Sequence, residues 1–129
     1  MMGHFRWALL WALCILVLCL IPGRSLPQWS WFDLLSLDKL VHAGLFGTLT
    51  LLLCGAFVKR GAPANFLAPA VVLSMGYGWG TEVLQGLEAL GRRTDLNDMI
   101  ANTVGAIAGA WFVARRRRNG KAFLPAFLR

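Results

Sequence analysis

Long hydrophobic runs alternate with short polar segments along this 129-residue chain. The hydrophobic runs cover residues 5–21, 40–58, 66–90 and 97–114. Each is close to the roughly 17 to 25 residues that an α-helix needs to cross about 30 Å of hydrocarbon. The pattern therefore predicts four membrane-spanning helices, and the short connections between them favour antiparallel neighbours in one bundle.

The composition supports this prediction. Hydrophobic residues make up 57% of the chain and charged residues 15%, with a mean hydropathy of +0.60. A soluble domain of this size could not form its surface from so few charged residues. We therefore expect an all-α membrane protein with one domain over residues 1–129, in which the three cysteines lie in apolar runs and serve packing.

The first run and the loop after it leave two alternatives open. Arg6 and the apolar residues that follow also resemble the start of a signal peptide, but no A-x-A cleavage site is present, so a retained helix is favoured over a cleaved one. The loop carries Trp29, Trp31 and Phe32, which are typical of an aromatic belt at the membrane surface. Its leucines also fit a short interfacial helix in this first outer loop.

The charges predict the orientation of the chain. Nine of the thirteen Lys and Arg residues lie before the first helix, between the second and third, or after the fourth: Arg6, Lys59, Arg60, Arg115, Arg116, Arg117, Arg118, Lys121 and Arg129. The positive-inside rule makes these segments and both termini cytoplasmic. All six acidic residues then belong to the outer loops or outer helix ends.

The basic tail at residues 115–129 has two interpretations. A run of four arginines could bind nucleic acid, but directly after a membrane helix it is better explained as a stop-transfer anchor that touches anionic lipid headgroups. We therefore expect no nucleic-acid partner. The apolar residues after the arginines predict that the tail rests on the membrane surface.

Polar residues and glycines share one face of the fourth predicted helix. Asp98, Asn102, Gly105 and Gly109 are spaced at i, i+4, i+7 and i+11, which places them on one stripe. The two glycines allow a second helix to approach closely, so we assign them to helix packing. Polar groups that face lipid are costly, so Asp98 and Asn102 are expected to point into the bundle.

Two further polar pairs are predicted at the same outer end. Asp38 and His42 lie one turn apart on the second helix, and Glu82 and Gln85 are neighbours on the third. The glycine-rich stretch at residues 76–80 has neither the spacing nor the preceding strand of a phosphate-binding loop, so it indicates close packing or a kink.

The polar residues could simply form a satisfied hydrogen-bond network that fixes helix register. Ionisable groups within a membrane more often mark function, and here acids and bases converge on one end. We therefore favour a functional site.

Three motifs carry a resemblance to a known family. They are D-K-x-x-H at residues 38–42, E-x-x-Q at 82–85, and R-x-x-x-x-D-x-x-x-N-x-x-G-x-x-x-G at 93–109. In this order they resemble the VanZ-like membrane proteins, and the chain departs from the family pattern at Phe46, where many members carry tyrosine. The resemblance implies a small multi-pass protein of the bacterial inner membrane. The family is named for a member associated with low-level resistance to the glycopeptide teicoplanin.

The residues support a headgroup-binding hypothesis. The site would bind an envelope lipid or a lipid-linked cell-wall precursor, and susceptibility to glycopeptides could depend on it. The residues expected to bind the substrate are Asp38, Lys39, Gln85, Arg93 and Asn102.

An enzymatic version assigns catalysis to His42, Glu82 and Asp98, with His42 or Glu82 as general base. No H-x-x-x-H or H-E-x-x-H motif is present, so no metal or other cofactor is predicted. The alternative function is a non-catalytic helical partner of another envelope protein, with a purely structural polar cluster. Glycine faces also permit a homo-oligomer.

Overall fold

The computed structural model describes residues 2–20, 31–61, 64–85 and 96–124. All regular structure in these ranges is helical. Helix α1 spans Met2–Leu20, α2 spans Trp31–Lys59, α3 spans Leu67–Gln85 and α4 spans Leu96–Arg118. A short 3₁₀ turn at Ala64–Phe66 precedes α3. The prediction of an all-α protein with four helices is confirmed for the described ranges.

Helix α2 begins well before the apolar run that predicted it. Residues 31–39 form its first turns, so they do not make a separate interfacial helix. No proline or glycine interrupts the chain between Trp31 and Ala43, and the helix can therefore continue. The apolar run predicted only the part of α2 that suits lipid. The whole helix is about 44 Å long, which is more than the roughly 30 Å of the hydrocarbon layer.

Helix α1 runs antiparallel to α2. The rings of Phe5 and Phe57 meet edge to face with centroids 5.6 Å apart, so the start of α1 lies near the end of α2. Further along α1, the indole N–H of Trp11 donates to the carbonyl of Leu45 at 2.9 Å. The Tyr77 hydroxyl of α3 donates to the carbonyl of Ala12, which ties α1 to α3 as well.

Helix α4 runs antiparallel to α3. The guanidinium of Arg117, at the end of α4, lies 5.1 Å from the ring centroid of Phe66, just before α3. At the other end, the indole N–H of Trp79 donates to the Thr103 hydroxyl at 3.3 Å. Neighbouring helices therefore alternate in direction along the chain.

The closest packing is between α2 and α4, which run parallel and contact each other more extensively than any other pair of helices in the described ranges. A side chain at Gly105 would overlap the carbonyl oxygen of Ala43, and one at Gly109 would come to 2.7 Å from the carbonyl oxygen of Gly47. Glycine at both positions therefore lets the two backbones approach each other directly.

The outward faces of the helices are apolar. Exposed side chains follow helical spacing on α4 at Ile100, Val104, Ile107 and Trp111, and α1 and α3 carry similar faces. The interior is built from apolar residues such as Ile15, Phe46 and Val113, and it also contains polar groups, namely His42, Thr50, Ser74, Thr81, Glu82 and Asn102. The apolar exterior is the feature that departs from a water-soluble domain.

One described helix meets the length and composition of a membrane span. It is the part of α2 at Leu40–Lys59, which is 20 residues long with a mean hydropathy of 1.8, and a shorter apolar segment lies at Phe5–Leu18. Helix α3 carries glycines, Thr81 and Glu82, and α4 has polar residues at both ends, which lowers their hydropathy.

The chain after α4 folds back onto the bundle. Gly120 has a φ of 69°, which reverses the backbone, and the Lys121 N–H donates to the Arg116 carbonyl at 2.8 Å. The side chain of Leu124 is then 9% exposed and seats over Gly55 of α2. The segment after α4 is therefore anchored to α2 through Leu124, whereas Lys121 and Ala122 stay exposed. That the tail rests on the membrane surface stays a prediction.

Candidate functional site

A buried histidine and a buried asparagine meet where α2 and α4 begin to pack against each other. The Nδ1 atom of His42 lies 2.8 Å from the side-chain oxygen of Asn102, and the two residues are 6% and 0% exposed. The close approach of Ala43 to Gly105 brings these helix positions together. The two side chains are 60 positions apart in sequence, so this contact depends on the tertiary fold.

The surroundings of Asn102 determine which way its amide faces. Its side-chain nitrogen lies 3.5 Å from the carbonyl oxygen of Gly78 on α3. A carbonyl can only accept a hydrogen bond, so the amide NH₂ belongs on that side and the amide oxygen faces His42. The Nδ1 atom of His42 must then be the donor, and in the neutral ring Nε2 carries the lone pair.

Gly78 makes room for this arrangement. A side chain at this position would come to 3.1 Å from both Asn102 and the ring of Phe46. The Gly78 carbonyl also accepts a hydrogen bond of 2.8 Å from the Thr81 hydroxyl. The glycine at position 78 therefore serves close packing within an unbroken helix, one of the two roles expected for the glycine-rich stretch.

Glu82 lies one turn beyond Gly78 on the same face of α3 and is completely buried. Burial of a carboxyl group is costly unless the group is protonated or paired. A carboxyl group is therefore an unusual residue in the interior of a helical bundle. Glu82 is the one acidic side chain that the structure describes.

The other predicted site residues belong to the same end of the bundle by their place in the helices. Asp38 and Lys39 precede His42 in α2, Gln85 is the last residue of α3, and Asp98 lies one turn before Asn102 in α4. Only the backbone is described for these four. Arg93 lies outside the described residues.

The cationic side chains that the structure describes are all at the opposite end of the bundle. They are Arg6 at the start of α1, Lys59 and Arg60 after α2, the arginines at 115–118 and Lys121. Contacts of Phe5 with Phe57 and of Arg117 with Phe66 bring these segments to one end. The charged side chains that the structure describes are thus separated along the helix axes, with Glu82 toward one end and the cations at the other.

The available groups favour acid–base and hydrogen-bond chemistry. The buried hydroxyls of Thr50 and Ser74 donate to the Phe46 carbonyl at 2.9 and 3.2 Å, so they stabilise helix backbone in the way that Thr81 does. Among the described side chains no group of three His, Cys, Asp or Glu residues could hold a metal ion. The histidine and the carboxyl group are therefore the titratable groups around which the described part of the site is built.

Two residues of the site are not assigned to it by the sequence analysis. Thr81 precedes Glu82 and was not singled out, and Phe46 stood out only as a departure from tyrosine. Phe46 is 0% exposed, lies one turn from His42 and packs 6.3 Å from the Tyr77 ring by centroid distance. Its i+4 spacing from His42 was a signal that could have placed it beneath the site.

The fold and the site define a small helical bundle with an apolar exterior and a buried polar cluster near one end. The chain belongs to the VanZ/LLP1 family, whose sequence model matches residues 8–117. Neither the curated proteins nor the solved structures contain a match to the chain. Family membership and the apolar helix at Leu40–Lys59 suggest a membrane protein.

Proposed function

We propose that the chain is a four-span protein of the bacterial inner membrane, and that its outer end binds the polar headgroup of an envelope lipid or a lipid-linked cell-wall precursor. The observation that carries this proposal is the buried hydrogen bond between His42 and Asn102. Glu82 is also buried, and it lies on α3 one turn beyond Gly78, so it extends the polar cluster.

The apolar exterior supports the membrane part of the proposal. Side chains such as Leu13, Val17, Val72 and Val104 are each more than half exposed. They lie on the outward faces of three helices, and contiguous exposed apolar faces of this kind are rare in a soluble monomer. Lipid tails would cover these apolar faces, and the helices would shield the buried polar groups from the lipid.

The charge distribution supports the orientation. Every cationic side chain that the structure describes lies at one end, which the positive-inside rule makes cytoplasmic. The His42 end then faces outward. The apolar part of α2 begins at Leu40, so His42 lies only about 3 Å inside it along the helix axis. A headgroup at the outer membrane surface would be within reach at this depth.

The side chains offer complementary contacts for such a headgroup. Protonated His42, Lys39 and Arg93 would bind a phosphate, and Asp38, Asp98 and Glu82 would bind sugar hydroxyls or amines. Gln85 and Asn102 would supply neutral hydrogen bonds. The membrane lipid is thus the partner that this set of groups fits best.

The orientation of the His42 ring also supports a catalytic variant of the headgroup-binding proposal, which can be tested separately. Asn102 orients the ring through Nδ1, and a general base would act through the other ring nitrogen, Nε2. Turnover of a labelled lipid-linked precursor by the purified protein, lost in His42→Gln, would establish catalysis. Binding without turnover would limit the site to recognition.

Lipid co-purification tests the binding proposal. We expect His42→Ala and Arg93→Gln to reduce the lipid retained per chain, as measured by mass spectrometry after gentle extraction. The matched control is Ser74→Ala, which removes a buried polar group of α3 that bonds only to the Phe46 backbone among the described contacts. Equal lipid content in all variants would reject the proposal.

The structural alternative predicts a different result. If the cluster only stabilises a helical partner of another envelope protein, Glu82→Gln and Asp98→Asn should lower protein abundance and teicoplanin resistance in parallel. Loss of resistance at normal abundance would exclude that alternative.

A further inference from the structure

Among the described side chains, two hydrogen bonds join α3 and α4 beside the polar cluster. The inner bond runs from the Asn102 amide to the Gly78 carbonyl and is 3.5 Å long. The outer bond runs from the indole N–H of Trp79 to the Thr103 hydroxyl at 3.3 Å. Trp79 directly follows Gly78, and Thr103 directly follows Asn102, so the two bonds lie next to each other across the same helix contact.

The groups of the outer bond have matching donor and acceptor roles. The Thr103 hydroxyl donates its own proton to the carbonyl of Met99, one turn earlier in α4, at 2.9 Å. Its oxygen then offers a lone pair to the Trp79 N–H. Hydrogen bonds in such a chain strengthen each other. The Trp79 ring is 49% exposed on the apolar face of α3, where lipid tails would offer its N–H no other acceptor.

The inner bond is too long to hold the two helices together by itself. Its length of 3.5 Å is at the limit for a hydrogen bond, and the Gly78 carbonyl also accepts a shorter bond of 2.8 Å from the Thr81 hydroxyl. A separation of α3 and α4 by a few tenths of an ångström would therefore break it.

Loss of the inner bond would change what Asn102 presents to His42. The Gly78 carbonyl keeps the amide nitrogen of Asn102 turned away from the His42 ring. Without that carbonyl in reach, the amide can rotate and turn its NH₂ group toward the ring. The amide could then no longer accept a hydrogen bond from Nδ1 of His42.

We propose that Trp79 and Thr103 are positioning residues of the His42 site. From the outer side of the contact they hold α3 and α4 at the spacing in which Asn102 reaches Gly78. Asn102 in turn keeps a proton on Nδ1 of His42. The importance of this bond for a ligand rests on the function proposed above, whereas its effect on the His42 ring does not.

The test is proton–nitrogen NMR of the full-length protein in detergent micelles, with His4→Gln as the background so that His42 is the one histidine. We predict that Nδ1 is protonated and that its proton exchanges slowly with water. Thr103→Val removes the hydroxyl and Trp79→Phe removes the indole N–H. Each should speed this exchange about threefold, the factor that corresponds to about 0.6 kcal/mol for an average hydrogen bond between membrane helices. Thr103→Ser keeps the hydroxyl and should restore the slow exchange.

Two controls separate positioning from a general loss of structure. The indole N–H of Trp11 donates to the Leu45 carbonyl at the contact between α1 and α2, and its exchange should not change in any variant. Trp111→Phe is the matched tryptophan variant. Trp111 is exposed on α4, and its ring stacks with Arg115 at the far end of that helix. This variant should leave the exchange at His42 unchanged.

Three results would overturn the proposal. A wild-type protein without a proton on Nδ1 would contradict the role of Asn102. Unchanged exchange at His42 in both Thr103→Val and Trp79→Phe would show that the outer bond does not position the ring. Equal acceleration at Trp11 would indicate that the whole bundle loosens.

Lipid retention, measured on the same samples, separates this proposal from the proposed function. Faster exchange at His42 with less retained lipid in Thr103→Val, and recovery of both in Thr103→Ser, would support the two together. Faster exchange with equal lipid content in every variant, including His42→Ala, would support the positioning role and reject the headgroup site.

Discussion

Replacement of Gly105 by alanine perturbs the closest helix contact in the molecule. The added methyl group would overlap the Ala43 carbonyl oxygen of α2. Because the obstacle is backbone, no side-chain rotation relieves the overlap, and α2 and α4 must move apart. Overpacking of this kind costs about 1 to 3 kcal/mol, of which the better helix propensity of alanine offsets up to about 1 kcal/mol.

The separation also reaches the polar cluster. Asn102 lies three residues before Gly105, and its hydrogen bond to His42 spans the same two helices at 2.8 Å. Loss of this bond adds about 1 kcal/mol. We therefore expect Gly105→Ala to lower the free energy of unfolding by about 1 to 3 kcal/mol in total.

Gly76→Ala provides the matched control. Gly76 lies within α3, and a side chain there would meet nothing within 4 Å. This variant should be neutral or more stable by up to about 1 kcal/mol. Denaturant unfolding of both proteins in the same detergent, followed by the helical circular dichroism signal, gives the comparison. An unchanged or increased stability of Gly105→Ala would refute the packing described for α2 and α4.

Three further predictions concern other parts of the molecule. Tyr77→Phe removes the hydroxyl that donates to Ala12, so thermal unfolding should show a loss of about 1 kcal/mol, and an unchanged midpoint would contradict this role. Gly120→Ala places a side chain at a φ of 69°, which costs about 1 to 2 kcal/mol and should increase proteolysis of the tail, whereas wild-type resistance would count against the turn. Cys14 is exposed on α1. In a chain with no other cysteine it should react in membranes with a lipophilic maleimide and resist a hydrophilic one, and rapid reaction with both would argue against lipid exposure.

The helices could largely be predicted from the sequence, but their ends could not. Each apolar run of the sequence overlaps one described helix, because a long apolar run marks a helical segment that suits lipid. The extension of α2 back to Trp31 and of α4 through Arg118 depends on helix propensity and on favourable placement of cations at a helix C-terminus. Hydropathy measures neither of these effects. The end that the sequence predicts for α3, residues 86–90, lies outside the described residues.

The polar cluster could be predicted only helix by helix. The spacing of Asn102, Gly105 and Gly109 put these residues on one face, and in the structure this face is the one that contacts α2. The pairing of Asn102 with His42 requires the relative register of two helices, and no local pattern contains that information. The contribution of Gly78 could not be recognised for the same reason, because its importance comes from a neighbour on another helix.

The proposed headgroup site requires that the His42 end of the bundle faces outward, across a membrane from the basic end. Single cysteines at Gly91 and Asn119, in a chain with no other cysteine, allow a direct measurement with a membrane-impermeant maleimide. Position 91 lies between α3 and α4, and position 119 directly follows α4. We predict that Gly91→Cys is labelled in intact cells with the outer envelope made permeable, and that Asn119→Cys is labelled only after the inner membrane is opened. Labelling of both positions in intact cells, or of Asn119→Cys alone, would contradict the proposed location of the site.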